Sequence, residues 1–117
     1  MADAVLRIAA EDALALIESG EAVVIDVREP AEIMASGKVP GAINIPLAAF
    51  LAKTDPSSAE REPALRQEKP VILYCASGKR SDFAGNKLIE FGYREVFNLG
   101  GLRDWELAGL PVDDSGI

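Results

Sequence analysis

The sequence contains no histidine and only one cysteine, and these two scarcities exclude several kinds of site. Without an imidazole, neither a Ser-His-Asp nor a Cys-His arrangement can form. A single thiol cannot make an internal disulfide and is a poor basis for a zinc or copper site. We therefore expect no metal and no cofactor, and a reducing compartment, the cytoplasm, as the location. If Cys75 reacts, it must do so without a histidine partner.

Long apolar runs and an excess of positive charge are also lacking. No apolar stretch approaches the ~20 residues that span a bilayer. The N-terminal stretch MADAVLRIAAEDALAL lacks the basic and then apolar pattern of a secretory signal. Twelve basic residues against nineteen acidic ones give a net charge of −7, which disfavours nucleic acid and anionic membranes as partners. An anionic small molecule would need local positive charge, which Lys79 and Arg80 supply.

The length of 117 residues suits one compact core, and we predict a single domain over residues 1–117. Short apolar runs predict strands at 5–8, 22–27, 43–45, 71–74 and 96–99. Helical spacing predicts helices at 10–17, 30–36, before Pro70, after Ser81 and at 102–108. This alternation favours an α/β fold with a mostly parallel central sheet. In such sheets, ligands bind beyond the carboxyl ends of the strands, where Cys75 and the segment 26–28 lie.

The loop that follows Cys75 has the composition of an anion site. Its residues are Ala76, Ser77, Gly78, Lys79, Arg80 and Ser81. Their N–H groups can curl around the sulfur as a nest, Gly78 permits tight curvature, and a helix N-capped by Ser81 would add its positive end. We therefore predict a partly solvated thiol with a pKa below the free-cysteine value of ~8.5. The alternative is an inert core cysteine at the end of a buried strand.

Four segments, taken in order along the chain, resemble the signatures of the rhodanese family of sulfurtransferases. Residues 75–81 fit its active-site pattern C-x-x-G-x-R-S. The other three are IDVREP at 25–30, GKVPGAINIP at 37–46, and GGL at 100–102 followed by Trp105 and GLPV at 109–112. The resemblance implies a rhodanese-like fold, a five-stranded, mostly parallel sheet with helices on both faces. Lys38 stands where the family usually has histidine, in a turn that we expect to lie away from the loop.

The resemblance also implies a reaction. Cys75 would take the outer sulfur of a donor such as thiosulfate, become a persulfide, and pass the sulfur to cyanide or another thiophilic acceptor. Sulfite would leave as a stable anion that needs no proton, which explains the missing histidine. The implied substrate-binding residues are those of segment 76–81 together with Arg28. Asp26 lies at a strand end, where we expect structural support through capping of nearby loop amides in preference to a catalytic role. A sulfur-relay protein is a further candidate partner.

Two other functions remain open from the residues. Cysteine-dependent phosphatases and arsenate reductases also hold an oxyanion between a strand and a helix, but their loop is C-x5-R, and here four residues separate Cys75 from Arg80. The domain could instead be a non-enzymatic sulfur carrier or docking module, because fold does not fix function. Arg28 is left with two interpretations, facing the pocket or pairing with a carboxylate such as Glu29 or Glu32.

Overall fold

A computed structural model describes residues 4–115, so the predicted domain ends at residues 1 and 117 lie outside the described part. The described residues form the strands β1 (Leu6–Arg7), β2 (Val23–Asp26), β3 (Ile43–Asn44), β4 (Val71–Cys75) and β5 (Val96–Gly101). The helices are α1 (Ala10–Glu18), α2 (Pro30–Ser36), α3 (Phe50–Thr54), α4 (Lys79–Glu90) and α5 (Leu102–Leu107), with a 3-10 turn at Leu47–Ala49. None of these helices is long and apolar enough to cross a membrane.

The five strands form one parallel sheet in the order β1-β5-β4-β2-β3. This confirms the predicted α/β architecture. Strands β2 and β4 lie inside the sheet, and every one of their residues is buried. A parallel strand covered on both faces has no solvent side, which is why these two segments are almost continuously apolar in the sequence.

Helices cover both faces of the sheet, as predicted. On one face, Phe50 of α3 and Ala84 and Leu88 of α4 pack into a core that also contains Cys75. On the other, α1 and α5 pack against the sheet, and Trp105 of α5 is 1% exposed. The sheet is therefore the middle of three layers, and Cys75 belongs to the layer between the sheet and α4.

The prediction of a helix directly before Pro70 is wrong. Residues 55–70 form turns after the short α3. Asp55 accepts a hydrogen bond from the Ser57 N–H at 2.9 Å, the Asx-turn geometry that competes with helix formation. Pro56 and Pro63 have no N–H group to donate, so they do not suit the interior of a helix. Leu65 is buried and ties this segment to the core on the α4 side.

The carboxyl end of β5 departs from regular pairing beside the cysteine loop. The register between β4 and β5 shifts after Leu73, and Leu99 is the extra residue of a β-bulge. Two residues later, the backbone of Gly101 passes so close to the loop that a Cβ would overlap the carbonyl oxygen of Ala76. The bulge and the glycine together bring the end of β5 against the residues that follow Cys75.

The turn that carries Lys38 makes contacts of its own. The Lys38 backbone pairs with Asp113, and its Nζ donates to the carbonyl oxygen of Ala42 at 3.0 Å. Gly37 of the same turn lies against Val112 and Asp113. Among the described residues, the turn therefore joins the segment after α5 through its backbone, while the Lys38 side chain bonds within the turn.

Candidate active site

Cys75 is the last residue of β4, and its sulfur is held by the loop and by the first turn of α4. The Gly78 N–H donates to Sγ at 3.0 Å, and Ser81 Oγ lies 3.4 Å from Sγ. Gly78 has a φ of 95°, a left-handed conformation that glycine adopts freely. This backbone conformation returns its N–H towards the sulfur, so the loop surrounds the sulfur with donors as the sequence predicted.

Ser81 is not the N-cap of α4, contrary to the prediction. The helix begins at Lys79, and Gly78 occupies the cap position without a side chain to contribute. Ser81 is the third helical residue and is fully buried, and its hydroxyl donates to Asn98 Oδ1 at 2.8 Å. Because the left-handed Gly78 starts the helix earlier than expected, the Ser81 side chain turns inward and contacts the sulfur.

Burial and hydrogen bonding act in opposite directions on the pKa of Cys75. Burial, the largest effect, raises it, whereas the Ser81 hydroxyl and the N–H groups of Ser81, Gly78 and Ser77 lower it, and the net result is a lowered pKa. The direction is the predicted one, but the predicted partial solvation is wrong, because Cys75 is 0% exposed. The thiolate is stabilised by donors from the protein instead of by water.

This balance predicts the pH dependence of alkylation. In the folded protein, the rate of Cys75 alkylation by iodoacetamide should rise with pH to a midpoint below the free-thiol value of ~8.5. The same protein in denaturant provides the reference midpoint, because the loop donors are then lost. A folded midpoint at or above that of the denatured protein would show that burial outweighs the hydrogen bonds.

Arg80 contacts a carboxylate instead of open space. Its Nη1 and Nη2 donate to the two oxygens of Glu32 on α2, at 2.7 and 2.8 Å. The Arg80 hydrogen bonds outweigh burial and, with the Glu29 N–H, lower the pKa of Glu32 to about 2. A carboxylate with a depressed pKa keeps its pairing above its ordinary pKa and loses it only as the pH falls towards about 2. At neutral pH, both terminal nitrogens of Arg80 are therefore engaged by Glu32.

Arg28 is also engaged within the protein: it pairs with a carboxylate, which is one of the two interpretations from the sequence, and it does not face the pocket. It pairs with Asp26, not with Glu29 or Glu32, at 2.7 Å, and it donates as well to Ser36 Oγ and to the Gly37 carbonyl oxygen. With 4% of its side chain exposed, it does not present a guanidinium to a ligand. It is therefore not placed as a substrate-binding residue.

Asp26 has the supporting position that the sequence predicted. Its Oδ1 accepts a hydrogen bond from the Arg28 N–H at 2.9 Å, so it caps a loop amide at the end of β2. The same carboxylate also accepts hydrogen bonds from the Arg28 side chain and is 0% exposed. This buried pair fixes the turn that leads into α2, and α2 carries Glu32.

Three residues near the sulfur were not predicted. Asn98 of β5 bonds to Ser81, Glu32 of α2 bonds to Arg80, and Arg7 of β1 places its guanidinium beside Gly78. They come from three strand or helix segments that the sheet order brings to one edge. Their sequence contexts carry no chemical signal except at Glu32, where Glu29 and Glu32 form a capping box.

Taken together, the fold and site define an α/β domain with a loop of hydrogen-bond donors around a cysteine at the carboxyl edge of a parallel sheet. Residues 9–108 match the family model described as the rhodanese-like domain. A sulfurtransferase of Allochromatium vinosum is 34% identical over 98 residues, which are 83% of this chain and 83% of that protein.

Solved structures agree with this match. The polysulfide-sulfur transferase homodimer of Wolinella succinogenes superimposes with a TM-score of 0.71 at 32% identity, over 92% of this chain and 77% of that one. A Rhodopseudomonas palustris protein of unknown function, described as a possible tyrosine phosphatase, gives a TM-score of 0.83 at 32% identity, over 93% of this chain and 85% of that one. The chain belongs to the rhodanese-like domain family, and its homologues include sulfurtransferases.

Proposed function

We propose that the protein transfers sulfane sulfur through Cys75. The thiolate attacks the outer sulfur of thiosulfate or a related anionic donor, a sulfur–sulfur bond forms, and sulfite leaves with the electron pair of the broken bond. Cyanide or another thiophilic acceptor then attacks the terminal sulfur, and the thiolate is regenerated. The observation that carries this proposal is the set of hydrogen-bond donors around the buried sulfur of Cys75.

These donors suit each sulfur species of the proposed reaction. A thiolate and a persulfide are both anionic, and hydrogen bonds to charged groups contribute more than those to neutral ones. Attack on sulfur releases sulfite, which needs no general acid, so the absence of histidine is no obstacle. Burial of Cys75 favours a small donor, and the two residues that follow it, Ala76 and Ser77, are exposed.

Two cations are available to attract an anionic donor. Lys79 and Arg7 are exposed, and among residues 4–115 neither makes a salt bridge. Arg7 lies beside the loop: a Cβ on Gly78 would be 3.7 Å from its Nη1. In a protein with a net charge of −7, these local charges supply the attraction that the overall charge opposes.

The Arg80–Glu32 pair yields a quantitative prediction. Arg80→Ala should lower kcat/KM for thiosulfate by roughly ten- to a hundredfold, since it removes a cation and leaves Glu32 unpaired beside the loop. Part of the loss should return in the Arg80→Ala/Glu32→Gln double variant, which has no unpaired carboxylate. Arg94→Ala removes a similar charge at the amino end of β5 and serves as the control. A double variant no better than Arg80→Ala would exclude repulsion by Glu32.

A phosphatase or arsenate reductase activity is the second candidate, because one structural relative is described as a possible tyrosine phosphatase. The loop of this chain is one residue shorter than C-x5-R, and its arginine is paired with Glu32. Assays of thiocyanate formation from thiosulfate and cyanide, and of p-nitrophenyl phosphate and arsenate turnover, separate the candidates. We expect turnover only in the first assay. Turnover of phosphate ester or arsenate alone would overturn the proposal, and turnover in none would leave the carrier role.

A further inference from the structure

The side chain of Asn98 makes three hydrogen bonds, and all of them lead to the environment of Cys75. Its Nδ2 donates to the Gly78 carbonyl oxygen at 3.0 Å, and its Oδ1 accepts from Ser81 Oγ and from the Gly100 N–H, each at 2.8 Å. The Gly78 carbonyl oxygen can only accept and the Gly100 N–H can only donate, so the orientation of the amide is determined. Asn98 is 4% exposed, so its side chain is held by protein partners.

Two of these partners are the residues that contact the sulfur. Gly78 donates its N–H to Sγ, and Ser81 brings its hydroxyl to 3.4 Å from Sγ. Asn98 therefore connects β5 to the backbone donor and to the side-chain donor of the loop. The β-bulge lies directly after it, and there the Gly100 N–H donates to the Asn98 side chain.

The Ser81 hydroxyl has one proton and two acceptors within reach. When Cys75 is a neutral thiol, Ser81 can donate to Asn98 Oδ1 while the thiol donates to Ser81 Oγ. When the sulfur is negative, the hydroxyl can turn and donate to it. Asn98 Oδ1 then still accepts from the Gly100 N–H, so no buried oxygen is left without a partner.

We propose that Asn98 is a positioning residue for the Cys75 sulfur. Its side chain holds Gly78 and Ser81 in place. When the sulfur becomes anionic, the Ser81 hydroxyl stops donating its hydrogen bond to Asn98 and donates it to the sulfur. The inference rests on the proposed function only because both concern Cys75. Its test is separate, since the ionisation of Cys75 can be measured without a sulfur donor. The charged groups at this edge of the sheet are the pairs Arg80–Glu32 and Asp26–Arg28, together with Arg7, Lys79, Asp82 and Asp104, and none of them is changed in the test.

The test compares Asn98→Ala with a matched variant, Asn44→Ala. Asn44 also uses its amide at the end of a strand, with Nδ2 donating to the carbonyl oxygens of Asp26 and Arg28 at 3.0 and 2.9 Å. Both variants should lose thermal stability. The pH midpoint of Cys75, followed by iodoacetamide alkylation and by thiolate absorbance, should rise by about one pH unit in Asn98→Ala only, which is roughly tenfold less thiolate at neutral pH.

The link through Ser81 is tested in a second background. Ser81→Ala should also raise the pH midpoint of Cys75. Adding Asn98→Ala to Ser81→Ala should raise the midpoint by less than Asn98→Ala does in the wild-type protein, because part of the effect of Asn98 passes through the Ser81 hydroxyl. If the Asn98→Ala protein were destabilised but Cys75 kept its wild-type pH midpoint, Asn98 would have a structural role only. Fully additive shifts would exclude the hydroxyl exchange. If Asn98→Ala does not fold, an unchanged midpoint in Ser81→Ala alone overturns the exchange.

Discussion

A Cys75→Ser variant should form no thiocyanate from thiosulfate and cyanide above the rate without enzyme. Cys75 is the only cysteine in the chain, so no other thiol can carry the sulfur. A serine hydroxyl is not ionised at neutral pH and cannot form a persulfide. Because the site is buried and the two side chains are similar in size, the fold should persist, which circular dichroism and the melting temperature would verify.

A second thiol-free substitution makes the result firmer. Cys75→Ala removes the side-chain donor and acceptor altogether, and it should be as inactive as Cys75→Ser. Thiocyanate formation at a substantial fraction of the wild-type rate in either variant would show that sulfur transfer does not pass through this residue. Such a result would overturn the assignment of the whole loop.

Gly78→Ala should lower kcat/KM for thiosulfate by roughly ten- to a hundredfold and raise the pKa of Cys75. Gly78 has a φ of 95°, and a non-glycine residue there costs about 1–2 kcal/mol. Its Cβ would also lie 3.3 Å from Gly100 Cα, a contact tighter than usual. Relief of either strain rotates the peptide that donates to the sulfur, and hydrogen bonds to charged groups contribute about 1.5–3 kcal/mol.

Gly41→Ala is the matched control for this variant. Gly41 has a similar φ of 84°, but a Cβ there would meet nothing within 4 Å. The two variants should therefore share the loss of stability that comes from backbone strain, while only Gly78→Ala affects catalysis. If the two proteins had the same kcat/KM, the Gly78 N–H would not be needed for sulfur transfer.

The parts of the fold that could be predicted are those set by local patterns. The apolar runs at Val23–Asp26 and Val71–Cys75 are nearly continuous because both are central strands of a parallel sheet. Cys75 is the last residue of the second run, and the four hydrogen-bond donors around its sulfur belong to residues at most six positions later in the chain. Local chain geometry was enough to predict an anion loop and the direction of its effect on the thiol.

The interactions that could not be predicted join residues far apart in the sequence. Glu32 reaches Arg80 because β2 and β4 are neighbours in the sheet, so the helices that follow them begin side by side. Asn98 reaches Ser81 because β5 lies on the other side of β4 and carries a bulge there. The periodicity of a single segment does not determine the order or the register of the strands in a sheet. The pairing of Arg80 with Glu32 could therefore not be predicted.

The intact mass of the protein after reaction with thiosulfate tests the central claim most directly. The mass should increase by one sulfur atom, return to its starting value after cyanide is added, and stay constant in Cys75→Ser throughout. This sequence of masses requires no partner protein and identifies both the carrier and the transferred atom. An unchanged mass in the wild-type protein, or a gain of sulfur by Cys75→Ser, would contradict a persulfide on Cys75.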